Sequence, residues 1–319
     1  MNCILLLGAG FSRNWGGRLA TEVRAELQSV LHADQYLARL VQQRDFETAL
    51  SIVQGEYDQR KSPETQQRLR TMENAISGVF GRMNAAFMRR SSMEFGNDIA
   101  FSIRKYLTKF DAIFTLNQDL LIEFRHRPDD SGIWYGSKFD GYEIPGMREV
   151  RPPNAPMEFD RVRSKWHPTG DNRLNLRMQP YFKLHGSSQW ETSDATAMLV
   201  IGSAKVAAIN RLAVLRWYWE QFLHYLSLPD TRLVVIGYGF ADDHINKAIL
   251  DAAAKGLLRM FVVHPQGRGI LVRQSGASIP PPEPLWDDIP SLGESTRLLS
   301  STFLDDELER DLLYRVITP

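Results

Sequence analysis

The stretch Cys3-Ile4-Leu5-Leu6-Leu7-Gly8-Ala9-Gly10-Phe11-Ser12 decides the reading of the fold. An apolar run of mostly branched aliphatics stops at a glycine, the pattern of a strand buried on both faces. Strands of that kind belong to parallel sheets covered by helices. The turn that follows reads in two ways. Its glycines let the backbone approach a phosphate, and exposed amides at a helix start favour negative charge; equally, it is a tight structural turn. It is not the GxGxxG dehydrogenase fingerprint, because position 13 is Arg13 and no acidic strand end follows about twenty residues on.

Working outward, apolar residues recur at helical spacing from about Thr21 to Val53: Val23, Leu27, Val30, Leu31, Leu37, Leu40 and Val41. Residues 63–95 continue in the same style, with Pro63 suited to a first helical turn. A third helical stretch at 97–109 runs into Phe110–Thr115, the second strand candidate. So long a helical interval exceeds a crossover helix and predicts a helical subdomain or insertion over 21–109. Strand signals return at Tyr181–Leu184, Met198–Ile201, Leu233–Ile236 and Met260–Val263, with helical patterns at Ala204–Ser227 and Asp243–Leu257. This alternation predicts a Rossmann-like α/β architecture, an open and mostly parallel sheet built from 1–20 and 110–275. The aromatic cluster Trp217, Tyr218, Trp219 and Phe222 reads as core packing or a subunit contact. Residues 276–319 read as a linker, stiffened by Pro280–Pro284, and a terminal amphipathic helix at 301–317 carrying Phe303, Leu304, Leu308, Leu312 and Leu313.

The chain has 319 residues, 43% hydrophobic and 24% charged, enough apolar material for a real core and no case for overall disorder. Its 38 basic and 38 acidic side chains cancel, which argues against dedicated nucleic-acid binding. One cysteine, Cys3, excludes an internal disulfide and a Cys₄ zinc site. The N-terminal apolar run is too short for a signal-peptide core or a membrane span, so a soluble, cytoplasmic protein is expected. Between Arg148 and Arg177 seven Lys/Arg stand against four Asp/Glu, either a solvated loop face or a patch for an anionic ligand or partner.

Three more segments carry chemistry, each at a predicted strand end, where open α/β sheets bind ligands. Thr115-Leu116-Asn117-Gln118-Asp119 offers an amide and a carboxylate two residues apart, or simply a turn and a helix cap. Lys183-Leu184-His185-Gly186 offers an imidazole able to act as a general base. Gly237-Tyr238-Gly239-Phe240-Ala241-Asp242-Asp243-His244-Ile245-Asn246 joins a glycine turn to a helix whose Asp242 and Asp243 suit an N-cap region.

Together, in this order, these segments resemble the sirtuin superfamily in its bacterial sirtuin-like NADase branch of anti-phage defence. The family's GAGxS turn is similar to Gly8, Ala9, Gly10, Phe11 and Ser12; its TxNxD motif matches Thr115, Asn117 and Asp119; its LHG histidine matches His185. Gly237–Asn246 resembles GYSFxDxHIN, with Gly239 in place of the usual serine, and Gly237, Tyr238, Phe240 and Asp243 within this segment are candidate dinucleotide contacts. His264, at a strand end, corresponds to an adenosine contact. Trp15-Gly16-Gly17-Arg18-Leu19 replaces the deacylases' Pro-Asp-Phe-Arg run, and their four-cysteine zinc ribbon is absent from the sequence.

The resemblance therefore implies hydrolysis of NAD⁺ to nicotinamide and ADP-ribose without a metal. His185 would be the base, Asn117 the holder of the ribose hydroxyl or attacking water, and Asp119 a support for the nicotinamide side or the developing charge. It further implies a homo-oligomer serving as an abortive-infection effector beside a HerA-type ATPase or another sensor, with no membrane partner. Two alternatives stand beside it: an NAD-dependent deacylase or ADP-ribosyltransferase, and a non-catalytic NAD or ADP-ribose sensor that gates assembly.

Overall fold

A computed structural model describes residues 2–98, 101–127, 134–151, 164–202, 205–274, 286 and 289–318. The proline run 280–284 lies outside the described residues, as does part of the basic 148–177 segment. The strands are β1 Asn2–Leu7, β2 Ala112–Thr115, β3 Gly141–Glu143, β4 Met147–Val150, β5 Lys165–Pro168, β6 Met178–Lys183, β7 Gly186–Glu191, β8 Ala197–Leu199, β9 Thr231–Ile236, β10 Leu258–Val263 and β11 Ser291–Ser295. Between β1 and β2 run α1 Ala9–Arg13, α2 Ala20–Val30, α3 Gln35–Gln43, α4 Phe46–Gln59, α5 Pro63–Arg89 and α6 Ile103–Leu107. The later helices are α7 Leu121–Arg125, α8 Lys205–Arg211, α9 Ala213–Ser227, α10 Asp243–Ala254, α11 Gly269–Gln274, α12 Leu299–Leu304 and α13 Glu307–Ile317.

Among the described residues, seven strands form one all-parallel sheet in the order β11-β10-β9-β1-β2-β6-β3, flanked by helices. The fold is thus a Rossmann-like α/β open sheet. β4, β5, β7 and β8 form a second, smaller mixed sheet. Ile4, Leu5, Leu6 and Leu7 of β1 are fully buried, as a central parallel strand requires. From β1 the chain builds one wing through β2 and β6 and the other through β9 and β10. The strand order therefore reverses between β1 and β9, and the crevice opens at their C-terminal ends.

At that point the two strand ends touch backbone to backbone. Gly8 N donates to Ile236 O at 3.0 Å and Gly10 N to Gly237 O at 2.9 Å. A Cβ on Gly8 would lie 2.5 Å from Gly237 O, and Gly237 itself takes φ +66°. The glycines of the first turn are therefore spent largely on packing one loop against the other.

The aromatic cluster on α9 resolves towards core packing. Phe222 meets Phe114 at 5.0 Å between ring centroids, and Phe114 stacks on Phe182 at 4.9 Å. Tyr218 is fully buried with its hydroxyl donating to Pro145 O at 2.5 Å, while Trp217 and Trp219 pack half-buried against the same core.

Four expectations are corrected. The helix expected over 63–95 stops at Arg89, and the pattern at 204–227 breaks at Leu212 into α8 and α9. The terminal helix is two helices, with Asp306 capping the second by accepting from Glu309 N at 3.1 Å. Phe303 and Leu313 enter the core, but Leu304 and Leu308 are exposed. Finally β11, unforeseen, pairs with β10 inside the segment read as linker and helix. Its sequence Ser-Leu-Gly-Glu-Ser has no aliphatic run because it is an edge strand, where polar residues guard against pairing with other chains.

Gly237→Ala should lower folding stability by more than about 1–2 kcal/mol, from the left-handed backbone alone, with the clash against Gly10 and Phe11 added. Gly239→Ser, where a Cβ meets nothing within 4 Å, should change it little. Denaturant unfolding of both variants checks this; equal costs would contradict the close approach.

Candidate active site

The four strand-end segments converge on one cavity of about 1590 Å³ at the crevice between β1 and β9. Its floor is the Gly8–Gly10 turn and the Gly237–Gly239 turn. Phe46, Glu47, Phe80 and Met83 from the helical stretch between β1 and β2 form one wall. Leu298, Leu299 and Ser300 close another side.

Asn117 follows β2 and is nearly buried. Its amide Nδ2 donates to Gly8 O at 3.1 Å and to Ser12 Oγ at 3.0 Å, while its backbone N donates to Thr115 Oγ1 at 3.0 Å. Asn117 therefore braces the first glycine turn as well as facing the cavity. Thr115 and Ser12 serve the same brace from behind the wall, and Phe11 and Phe240 are fully buried there too. Those four do not line the cavity. Gly8, Ala9, Gly10, Asn117, Asp119, His185, Gly237, Tyr238, Gly239, Asp243 and His264 all do. Asp119 accepts from Leu121 N at 3.0 Å, which fixes the start of α7. His264 accepts from Gln266 N through Nδ1 at 3.1 Å, and partial burial lowers its pKa.

His185 sits in the two-residue step from β6 to β7, where the chain leaves the large sheet for the small one. Gly186 makes that step possible: it takes φ +66°, and a Cβ there would collide with Met198 O. His185 is almost wholly buried, and burial pushes its pKa from 6.5 down to about 3, so it is neutral at pH 7. Its unfolded counterpart protonates near 6.5, so the stability gained from the neutral ring is complete above that pH and is lost as pH falls towards 3. Its Nε2 lies 3.2 Å from Nε2 of His244.

The segment Tyr238–Asn246 is a self-locking turn. The Tyr238 hydroxyl accepts from Asp242 N at 3.0 Å and donates to Asn246 Oδ1 at 3.0 Å, and Asn246 Nδ2 donates to Phe240 O at 2.8 Å. Asp242 occupies the N-cap of α10, but its side chain does not cap the helix. It contacts the ammonium of Lys205, which also reaches Glu47 Oε2 at 2.7 Å. Burial opposes ionisation of Asp242, yet the charge and hydrogen bond of the Lys205 ammonium help to hold its pKa below the usual range. Glu47 goes the other way, burial raising it against the pull of Lys205. His185, Asp242 and His244 offer donor atoms within 4.8 Å of one another, the one potential metal-ligand group among the described residues.

Behind the site lies a buried ion pair. Lys183 Nζ meets Glu123 Oε1 at 2.7 Å and also donates to Asp119 O, tying together β6, α7 and the loop that follows β2. Burial raises the Glu123 pKa against the ammonium that lowers it.

Sequence reading missed Glu47, Lys205 and His244 as site residues and took Asp242 for a cap. Glu47 and Lys205 belong to no local motif. His244 stood within the quoted segment, one residue beyond Asp243, and only the fold brings it to His185. The fold and site define an open-sheet α/β protein with a large, charged cavity at its switch point. No protein-family model and no curated protein matches the chain.

Lys183→Met should destabilise the fold by about 3–5 kcal/mol, because it strands a buried carboxylate. Lys183→Met combined with Glu123→Leu should recover most of that loss. Denaturant unfolding checks both; an additive pair would contradict the coupling.

Proposed function

We propose that the protein is an NAD⁺ glycohydrolase of the sirtuin-like kind, cleaving NAD⁺ to nicotinamide and ADP-ribose. The observation that carries this reading is the convergence of His185, Asn117 and both glycine turns on one cavity at the sheet's switch point. Cavities for drug-sized ligands run about 300–1,000 Å³. At about 1590 Å³ this one has room for a dinucleotide.

In this reading the pyrophosphate lies over the Gly8–Gly10 and Gly237–Gly239 turns. Scission of the nicotinamide–ribose bond builds positive charge on the ribose, as in glycoside hydrolysis. Asn117, already fixed to Gly8 O and Ser12 Oγ, orients the ribose hydroxyl or the attacking water through its remaining amide oxygen. Neutral His185 takes the proton, and the carboxylate of Asp119 faces the developing charge. Phe11, Ser12, Thr115 and Phe240 shape the floor from behind and make no contact with substrate. His264 borders the adenosine end. The cellular role follows the same resemblance: an abortive-infection effector, oligomeric, and activated by a partner, a HerA-type ATPase or another sensor. Among the described residues no helix is long and apolar enough to cross a membrane.

Incubation of the full chain with NAD⁺, alone and with proteins encoded beside it, should release nicotinamide and ADP-ribose in equal amounts. No release under either condition, or release only with an acylated acceptor, would contradict hydrolysis. His185→Ala should slow turnover by about 10²–10⁴-fold and Asn117→Ala by about 10²-fold.

Because burial keeps His185 neutral far below pH 6.5, kcat/KM should show no acid limb between pH 8 and pH 5. An apparent pKa near 6.5 on that limb would contradict the buried base.

A further inference from the structure

His185 and His244 face each other through their Nε2 atoms at 3.2 Å, with ring centroids 5.3 Å apart. Two neutral imidazoles at that distance share one hydrogen: one ring donates and the other accepts. The pair spans the fold. His185 hangs on the step between β6 and β7, while His244 stands in the first turn of α10. Trp219 of α9 packs against His244 at 5.5 Å between ring centroids. A ring held in this way is placed to orient its neighbour.

The surrounding charges come from three helices. Asp242 and Asp243 immediately precede His244 at the start of α10, Lys205 approaches from α8, and Glu47 approaches from α4. Asp242 is already in contact with the Lys205 ammonium. A divalent ion on the same carboxylate would sit against that fixed positive charge. The setting therefore favours a hydrogen-bonded imidazole pair over a metal centre.

We infer that His244 is a positioning residue for His185: its Nε2 accepts the Nε2–H of His185 and fixes the tautomer whose basic atom is Nδ1. The inference rests on the reading of His185 as the base of NAD⁺ hydrolysis. As water attacks, its O–H bond breaks, Nδ1–H forms on His185, and the hydroxide oxygen bonds to the ribose carbon. The glycosidic bond breaks with its electron pair, and nicotinamide leaves neutral; the imidazolium then returns its proton to solvent. During that step the Nε2–H···Nε2 bond becomes charge-assisted, so it strengthens as the barrier is crossed. This is the orienting role that a third group plays behind a catalytic base.

The test combines a structural and a kinetic readout on the full chain. Nitrogen-15 imidazole spectra, with His185 assigned by its loss in His185→Gln, should show a protonated Nε2 and an unprotonated Nδ1 at pH 7. In His244→Ala that single tautomer should be lost, and kcat should fall by about 10²-fold with KM unchanged. His244→Gln, whose amide oxygen can accept the same hydrogen, should recover most of the loss. A thermal midpoint for each variant shows that it is folded.

A protonated Nδ1 in the wild type, or unchanged kcat and tautomer in folded His244→Ala, would overturn the inference. So would stoichiometric Zn²⁺ binding by calorimetry that raises activity and vanishes in His244→Ala. If no form of the protein cleaves NAD⁺, the proposed function fails, while the tautomer and its dependence on His244 still decide the pairing.

Discussion

The structure depends on how closely two chain reversals approach each other. Gly8 and Gly10 at the end of β1 lie against Gly237 at the end of β9, where a single methyl group would overlap backbone atoms. Hydrogen bonds from Gly8 N to Ile236 O and from Gly10 N to Gly237 O close the contact. Because β1 and β9 are the strands where the sheet's order reverses, this contact sets the floor of the crevice. Asn117 then ties the floor to β2 through Gly8 O and Ser12 Oγ. One amide thus does two things: it holds the turn in shape, and it stands at the cavity wall.

A second layer of control is electrostatic. The buried Lys183–Glu123 pair fixes the loop after β2 from behind. In front, Lys205 draws Glu47 of α4 and Asp242 of α10 together across the cavity. The helical stretch after β1 is thereby coupled to the sheet by charge as well as by apolar contact. Within this setting His185 is neutral and paired, a state that suits proton acceptance and not anion binding. Phosphate recognition in the proposed reading falls instead to the backbone of the two glycine turns.

Much of this was legible in the residues, for physical reasons. β1, β9 and β10 are buried on both faces over most of their length, so their sequences carry short continuous apolar runs, Cys3–Leu7, Leu233–Ile236 and Met260–Val263, that announce themselves. β11 sits at an edge and carries serine and glutamate, so its strand character depends on pairing with β10. The short strands β3, β4 and β5 lie in a proline- and glycine-rich region whose pattern has no period to read. At the site, the glycine turns, Asn117, Asp119 and His185 were found because each belongs to a local strand-end motif. Glu47 and Lys205 escaped because their meaning arises only when distant segments meet. Asp242 was read as a cap because its position is right for one; its carboxylate turned instead to the nearest ammonium.

The central claim is that one crevice at the β1–β9 switch point holds a dinucleotide with its glycosidic bond between the side chains at 117 and 185. A crystal structure of the His185→Ala protein soaked with NAD⁺ tests it most directly. The account predicts the pyrophosphate over the paired glycine turns and the nicotinamide ribose beside Asn117. A dinucleotide bound elsewhere, or one whose ribose points away from both positions, would contradict it.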